Sequence, residues 1–422
     1  MTRIGFVGVG STASAHLAAL QHIDGVRLAA FVDSNTERAQ ERAAQYGARA
    51  VPELPALWEH VDAVWVCSPP HLHLEHAVAA ARAGCHVFVE RPIAHSLEAA
   101  EQMVAACKEA GVRLMVGLTD RFTPVLQRLR QLLVDGDLGT LVALWSRRFG
   151  ETSPAEIPWW RRDWRRGGGF TIEWGTAELD FIRWTGEAVA GPVRRVHGRT
   201  VFSRDDYPDF DDFARATLTF DSGAVGGFEG GLGAPLGGGT GRGIIGTRAM
   251  ALVEGRALRL RHTGDGAERI VDVPPSYDPE RHVNTAVLAQ DREFIAAIVE
   301  NREPSVTGAD GWAALQLCLA IHRSSREGQE IVLEPLAPGA GRVKPPAPEP
   351  GPAPAAGPAA RAAPDTAPRL GEPPAPPAGE APAPPPPGPA DRPGPPAHDR
   401  AGGPEPGDAI DEVEGDSMGG MP

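Results

Sequence analysis

Residues 4–13 read Ile-Gly-Phe-Val-Gly-Val-Gly-Ser-Thr-Ala, an apolar run followed directly by a glycine-rich turn. The apolar run is typical of a buried strand, and the residues after it carry apolar side chains at helical spacing. Gly8 permits a tight turn, Gly10 lets a pyrophosphate approach the backbone, and Ala13 keeps helix and strand close together. The segment therefore predicts a dinucleotide site at the start of a helix, whose N-terminus faces the phosphates. The alternative is an ordinary glycine-rich turn between a strand and a helix.

A second signal is Asp33, which follows the next predicted strand, Val26–Val32, and lies 25 positions after Gly8. A carboxylate at that place accepts hydrogen bonds from both ribose hydroxyls and repels a 2′-phosphate. The sequence therefore favours NAD as cofactor, with NADP as the alternative. Arg38 lies one helical turn further on and could soften this preference, although a solvated helix charge is the simpler interpretation.

The order of strands and helices indicates the fold class. Over residues 1–120 strands and helices alternate with short connections, which predicts an α/β domain with a doubly wound parallel sheet. Over residues 121–336 several strand-like runs follow one another, and two helices close the segment. This order predicts an α+β domain with a largely antiparallel, open sheet.

Residues 337–422 differ from the rest of the chain in composition. They hold 26 of the 42 prolines, no aromatic residue, and 12 acidic against 6 basic side chains. Such a segment cannot bury enough apolar area to offset the entropy cost of ordering it, so we expect a disordered, solvated tail. Docking to a proline-recognising domain is the alternative, and the sequence does not identify a partner for it.

Charge, hydropathy and cysteine usage exclude several classes of protein. The formal charge of −14 argues against nucleic-acid and anionic-membrane partners, and no apolar run is long enough for a membrane span. The first residues lead straight into the strand at Ile4 rather than into a signal peptide. The four cysteines are scattered, which argues against a disulfide scaffold and a zinc site. We therefore expect a cytoplasmic chain without a bound metal.

Four motifs follow successive strands in a fixed order: Gly8–Ala13 with His16, then Asp33, then Ser68-Pro69-Pro70-His71-Leu72-His73, then Glu90-Arg91-Pro92. Over about residues 1–335 the chain thereby resembles the Gfo/Idh/MocA family, which includes glucose–fructose oxidoreductase and inositol dehydrogenase. The resemblance implies a Rossmann domain followed by a domain whose open sheet makes dimers or tetramers. It also implies NAD- or NADP-dependent oxidation or reduction at a hydroxyl-bearing carbon of a sugar, cyclitol or related ring.

The candidate cofactor-binding residues are those that the turn, the strand ends and the resemblance indicate together. They are Gly8, Gly10, Ser11, Thr12, Ala13, Asp33, Arg38, Ser68, Pro69, His73, Glu90 and Arg91. We expect the other partners to be a small-molecule substrate and further copies of the chain, in a homodimer or homotetramer through the C-terminal sheet.

Two departures from the family pattern fall on residues that move protons in the family. The family's Glu-Lys-Pro is Glu90-Arg91-Pro92 here, and an arginine, with a pKa above ~12, cannot exchange a proton near neutrality. The family helix that follows a glycine run has Asp, His and Asp where this chain has Glu173, Ala177 and Asp180. Alanine has no proton chemistry at all.

A helix predicted over Phe170–Trp184 would place Glu173, Ala177 and Asp180 on one face, because their spacing is i, i+4, i+7. If Glu173 faces the nicotinamide, it is the evident proton acceptor. The alternative is a solvated face with two acids. The candidate catalytic residues are Arg91, Glu173 and Asp180.

The segment Trp159–Arg166 is aromatic and cationic at once, and six of the nine tryptophans lie between residues 145 and 184. The resemblance implies that this region borders the substrate. It could stack on a ring and bind a carboxylate or phosphate in bidentate fashion. The alternative to this substrate-binding role is an oligomer contact or a packed corner. The sequence favours neither interpretation over the other.

Two further groups of residues suggest structural roles. His71, His73 and His76 do not converge on a metal from one helix face, so packing or a place near the cofactor is expected for His73. Asp120 and Arg121 adjoin at the domain junction, and we expect them to pair with each other.

The sequence therefore predicts an NAD(P)-dependent oxidoreductase with atypical acid–base residues, acting on a hydroxyl or carbonyl carbon of a small molecule. The replaced lysine and histidine leave two alternatives open. One is a non-catalytic NAD(P)-binding sensor or structural protein. The other is a reductase of an imine or an activated C=C bond, which needs less proton relay.

Overall fold

The structure is a computed structural model that describes residues 1–333 except 151–156, 204–208, 233–239, 256, 265 and 267. The proline-rich segment 337–422, predicted to be a disordered tail, lies outside the described residues. Among the described residues, no helix is long and apolar enough to cross a bilayer.

A six-stranded sheet forms the first part of the chain. Its strands are β1 (Thr2–Val7), β2 (Val26–Val32), β3 (Arg49–Ala50), β4 (Ala63–Val66), β5 (His86–Glu90) and β6 (Leu114–Gly117). They lie in the order β3-β2-β1-β4-β5-β6 and all neighbours are parallel. The helices between them are α1 (Ser11–Leu20), α2 (Thr36–Tyr46), α3 (Leu54–Trp58), α4 (His73–Arg82) and α5 (Leu97–Glu109). The doubly wound parallel sheet is thereby confirmed, and its strand order reverses between β1 and β4, where such sheets bind ligands at the carboxyl ends.

Buried aromatic side chains hold the centre of this sheet together. Trp65 stacks between Phe6 and Phe88, with ring centroids 6.1 Å and 5.4 Å away. All three rings are fully buried, so the apolar runs that predicted these strands form the core that fixes the positions of their carboxyl ends.

A nine-stranded sheet and further helices follow in the chain. The helices are α6 (Pro124–Val134), α7 (Trp159–Arg162), α8 (Trp164–Gly167), α9 (Gly169–Glu173), α10 (Gly175–Ala190), α11 (Thr285–Val299) and α12 (Gly308–Glu327). The strands are β7 (Leu141–Gly150), β8 (Val193–Val201), β9 (Phe213–Phe220), β10 (Val225–Leu232), β11 (Thr240–Gly246), β12 (Ala249–Glu254), β13 (Ala257–His262), β14 (Glu268–Val271) and β17 (Ile331–Val332). β15 (Tyr277–Asp278) and β16 (Val283–Asn284) make a separate pair. The large sheet has the order β14-β13-β12-β11-β7-β10-β9-β8-β17 and is antiparallel except between β7 and β10, which confirms the expected architecture.

The two faces of the large sheet differ in what they present. On one face the side chains of α10 and α12 approach glycines closely: Ile182 lies against Gly226, and Ile321 lies against Gly198. On the other face Val225 of β10, Ile245 of β11 and Met250 of β12 lie in register through Ala143 of β7, and the three are 39, 38 and 37% exposed. This second face therefore presents apolar surface to solvent.

The single helix predicted over Phe170–Trp184 is wrong. Gly168 and Gly169 both have positive φ angles (+81° and +74°), and the short helix α9 begins at Gly169 and ends at Glu173. α10 begins at Gly175, where a Cβ would come within 3.1 Å of the Phe228 ring. Glu173 therefore ends one helix while Ala177 and Asp180 lie on the next, so the three positions do not share one regular helix face.

Candidate active site

The glycine-rich turn has the geometry that a dinucleotide requires. Gly8 has a φ angle of +86°, and a Cβ there would come within 3.0 Å of the backbone of Cys67 and Ser68. Around the position of a Cβ on Gly10, no atom of the described residues beyond its chain neighbours lies within 4 Å. Gly10 is also the N-cap of α1, so no side-chain cap competes for the N–H groups of Ser11 and Thr12 in the first turn. The backbone of residues 8–13 thus fits a pyrophosphate at a helix N-terminus.

The ends of β2 and α2 place Asp33 and Arg38 together. The Asp33 carboxylate accepts hydrogen bonds from the backbone N–H groups of Val9 and Asn35, each at 2.8 Å. Arg38 binds the same carboxylate through Nε at 3.1 Å and Nη2 at 2.7 Å. Burial disfavours the charge of Asp33, but Arg38 and the two N–H groups outweigh it and lower the pKa of the carboxyl. Asp33 is therefore charged, and Arg38 lies beside it as a half-exposed cation.

The turns after β4 and β5 approach each other at the side chain of His73. Its Nε2 lies 2.7 Å from the carbonyl oxygen of Ser68, and its Nδ1 lies 3.0 Å from that of Pro92. Burial lowers the pKa of His73 to about 4, so the ring is neutral and donates from one nitrogen. The neutral ring therefore donates to one of these two carbonyl oxygens and packs against the other, and Ser68 and the half-buried Pro69 lie on the first turn.

A buried network that the sequence did not reveal lies beneath the same edge of the sheet. His16 on α1 bonds Glu90 through Nε2 and Asp291 of α11 through Nδ1, both at 2.8 Å. Trp65 donates its indole N–H to Asp291 at 3.1 Å. Burial alone would lower the pKa of His16, but the carboxylates of Asp291 and Glu90 outweigh it and raise the pKa to about 10. The network holds Glu90 in place, and a Glu90 oxygen accepts the backbone N–H of Arg91 at 3.1 Å.

Arg91 and Glu173 meet at the carboxyl end of β5. Arg91 follows that strand directly and donates from Nη1 to the backbone carbonyl oxygen of Glu173. The Glu173 side chain is only 7% exposed; its Oε1 lies 3.1 Å from Nη2 of Arg161, and its Oε2 is buried without a hydrogen-bond partner among the described residues. Burial raises the pKa of Glu173 although Arg161 and Arg91 oppose the rise. A buried acid with one free oxygen can take up a proton.

Asp180 lies in a different environment. Both of its oxygens accept hydrogen bonds from Arg121, from Nε and from Nη2 at 2.7 Å each. Arg121 also reaches Asp310 of α12 at 3.0 Å, and Arg183 lies 3.4 Å from Asp180. The structure thus places Asp180 within a buried ion-pair cluster, and its catalytic assignment stays a prediction.

The expected pair between Asp120 and Arg121 is wrong, because each residue has a partner on another element. Arg121 binds Asp180 and Asp310, while Asp120 pairs with Arg242 of β11. Arg242 also reaches the fully buried Glu178 at 2.7 Å. Adjacent residues on a turn point in different directions, so the charges pair across elements and tie α10 and α12 to the junction.

The chain matches two family models in succession. Residues 2–118 match the model described as an oxidoreductase family with an NAD-binding Rossmann fold. Residues 126–252 match the GFO/IDH/MocA C-terminal domain. The two matches cover strands of both sheets.

Individual relatives are dehydrogenases. The 4-carboxy-2-hydroxymuconate-6-semialdehyde dehydrogenase of Sphingobium is 39% identical over 140 residues, which is 32% of this chain and 44% of that protein. The myo-inositol 2-dehydrogenase of Thermotoga maritima is 28% identical over 342 residues, 79% of this chain and 98% of that protein. Among solved structures, the WlbA dehydrogenase of Bordetella pertussis in complex with NADH and UDP-GlcNAcA is 27% identical. It has a TM-score of 0.67 and covers 80% of this chain and 99% of its own.

Proposed function

This chain belongs to the Gfo/Idh/MocA family of NAD-binding oxidoreductases, and on that premise we propose that it transfers hydride to or from a hydroxyl or carbonyl carbon of a small molecule. The proposed substrates are sugars, cyclitols or related compounds, a range that the name of the myo-inositol 2-dehydrogenase supports. The observation that carries the proposal is the buried carboxyl group of Glu173, a residue whose backbone carbonyl oxygen accepts a hydrogen bond from Arg91 at the carboxyl end of β5.

The cofactor-binding residues orient one end of the site. NAD, when bound, supplies a nicotinamide carbon that accepts or donates hydride. The turn at Gly8 and Gly10 and the start of α1 would bind the pyrophosphate, and Asp33 would bind the ribose hydroxyls. Glu90 ends β5 and Arg91 follows it, so both lie at the carboxyl ends of the parallel strands, two strands from the turn.

The proton chemistry falls to Glu173 in this proposal. The Oε2 atom, buried and unpartnered among the described residues, takes the hydroxyl proton during oxidation and returns it during reduction. Arg91 does not exchange a proton, because a guanidinium keeps its charge near neutral pH. Its part is to hold the Glu173 backbone and to stabilise negative charge that develops on the reacting oxygen.

The test is the variant Glu173→Gln, since the amide keeps the shape of the side chain and loses the proton acceptor. We expect turnover to fall by about 10²–10⁴-fold while the Kd for NADH stays within twofold. Glu187→Gln on α10, whose carboxylate pairs with Arg183 at 3.0 Å, is the control and should retain activity. Retention of most activity by Glu173→Gln would refute the assignment.

A non-catalytic sensor is the second candidate, because Arg91 and Ala177 stand where the family resemblance places a lysine and a histidine. To test this, a broad panel of polyols, acids and ketones is added to the NADH-loaded protein. Tight NADH binding with no change in nicotinamide absorbance on any addition would favour this function. A reductase of an imine or activated C=C bond would instead consume NADH with those substrates alone.

We also propose that the exposed face of the large sheet joins copies of the chain in a dimer or tetramer. Val225, Ile245 and Met250 form an apolar row there, which a second sheet could cover. Light scattering should report more than one chain per particle, and Ile245→Arg should lower the mass. A monomer at micromolar concentration would contradict this proposal.

A further inference from the structure

Arg161 lies beside Glu173 and two indole rings. Its guanidinium carbon is 4.9 Å from the centroid of the Trp160 ring and 5.6 Å from that of Trp174. Cation–π contacts of this kind bind the face of the guanidinium and leave its N–H edges for hydrogen bonds in the plane. The orientation of the donor edge is therefore fixed by packing.

The backbone at Arg161 is fixed as well. Gly167 packs directly against it, and a Cβ on Gly167 would come within 2.7 Å of the Arg161 Cα atom. The N–H of Arg161 donates to the carbonyl oxygen of Pro158 at 2.9 Å. A long side chain that is anchored at both ends loses little further freedom when it binds a ligand.

The donors of Arg161 are only partly used within the chain. Nη2 faces Oε1 of Glu173 at 3.1 Å, whereas Nε is buried and has no hydrogen-bond partner among the described residues. A buried donor without a partner is costly, and a guanidinium N–H forms a strong hydrogen bond with a negatively charged oxygen. This donor therefore indicates a ligand with a negatively charged oxygen.

The charges around Glu173 also indicate an anionic substrate. The carboxyl group of Glu173 pairs with the guanidinium of Arg161, while Arg91 reaches only the backbone carbonyl oxygen of Glu173 and lies near the carboxylate of Glu90. When Glu173 holds the proton taken from a substrate hydroxyl, the ion pair between Arg161 and Glu173 loses its negative charge. An anionic group on the substrate would restore the balance, which a neutral polyol cannot do.

We propose that the substrate carries an oxyanion, a carboxylate or a phosphate, and that Arg161 binds it and thereby determines specificity. This inference rests on the proposed function, because it assigns the substrate class of the same site. Hydrogen bonds from a guanidinium to a charged oxygen are about twice as strong as those to a neutral hydroxyl. An acidic sugar is therefore preferred over its neutral counterpart.

The test is calorimetric titration of the NADH-loaded protein with four probes. D-glucuronate and D-glucose 6-phosphate carry the two kinds of oxyanion, and D-glucuronamide and D-glucose are their neutral counterparts. We expect at least one charged probe to bind ten- to a hundredfold more tightly than its counterpart. The pair that shows the difference identifies carboxylate or phosphate as the recognised group.

Variants of Arg161 connect that preference to the residue. Arg161→Gln should abolish it, and Arg161→Lys should retain only part of it, because lysine keeps the charge and lacks the planar fork. Arg165→Gln removes an exposed arginine of the same segment and should leave the preference unchanged. The Kd for NADH should stay the same in all three variants.

The inference is overturned if no charged probe binds more tightly than its neutral counterpart, or if Arg161→Gln keeps the difference. Neutral polyols oxidised with full dependence on Glu173 would leave the proposed function intact while removing this inference. If the unaltered protein turned over no substrate but still bound the charged probes more tightly in a way that depends on Arg161, only the proposed function would be overturned.

Discussion

Replacing Asp180 with asparagine distinguishes a structural from a catalytic role for a residue that the family resemblance makes a catalytic candidate. Asp180 is 1% exposed and accepts two hydrogen bonds of 2.7 Å from Arg121, whose side chain is 7% exposed. Removing one partner of such a buried pair typically costs about 3–5 kcal/mol, because the other charge stays buried and uncompensated. Arg121 keeps Asp310 at 3.0 Å, so the lower end, about 3 kcal/mol, applies here.

The assay is urea denaturation followed by tryptophan fluorescence, with turnover and NADH affinity measured on the folded variant. Asp221→Asn is the control, because Asp221 and Arg194 are both half-exposed and such a pair contributes less than about 1 kcal/mol. We expect Asp180→Asn to lose stability and to keep turnover per folded molecule within tenfold. Unchanged stability with turnover abolished would refute the structural interpretation and restore Asp180 as a catalytic residue.

Three further predictions concern the cofactor and pH. Gly8→Ala should abolish NADH binding in fluorescence titrations, because a Cβ at a φ of +86° would meet the backbone of Cys67 at 3.0 Å. Arg38→Ala should increase the preference for NADH over NADPH by about five- to tenfold in Kd, because the charge of Asp33 is then unopposed. The folded-state pKa of His16, about 10, lies above its ordinary value, so its stabilisation is complete below about pH 6.5 and is lost as the pH rises through 10. Urea midpoints should fall over that range, and His16→Gln should flatten the slope.

The dinucleotide turn could be predicted from the sequence because its determinants are local. The run before Gly8 is apolar enough to be a buried strand, and the glycine itself adopts the left-handed conformation that other residues avoid. Asp33 follows the next apolar run, so its place at the strand end was also readable. Each of these features depends on neighbours within a few positions.

The candidate catalytic residues were less predictable because their geometry depends on a break between helices. The spacing of Glu173 and Asp180 places them on one face only if a single helix continues through Trp174. Glycines with positive φ angles at 168 and 169 and the Phe228 ring against Gly175 determine where the two helices begin. Packing against a distant strand is not visible in a local pattern.

Asp291 could not be found from the sequence at all. It lies 275 positions from His16, and nothing in the periodicity of its helix marks it as a partner of that ring. An acid on a helix can be recognised as buried only once its partner is known, because an isolated charge is rarely buried. The network therefore became apparent only from the fold.

The proposed substrate charge also bears on how Glu173 functions as a base. Burial raises the pKa of this carboxyl, while Arg161 and Arg91 act to lower it. An oxyanion bound to Arg161 would offset the lowering effect of that guanidinium and place a second negative charge near the carboxyl, so the pKa would rise further on binding. A more basic Glu173 accepts a hydroxyl proton more readily near neutral pH. In this proposal, the oxyanion that binds Arg161 also raises the pKa of Glu173. Glu173 exchanges the proton because Arg91 cannot.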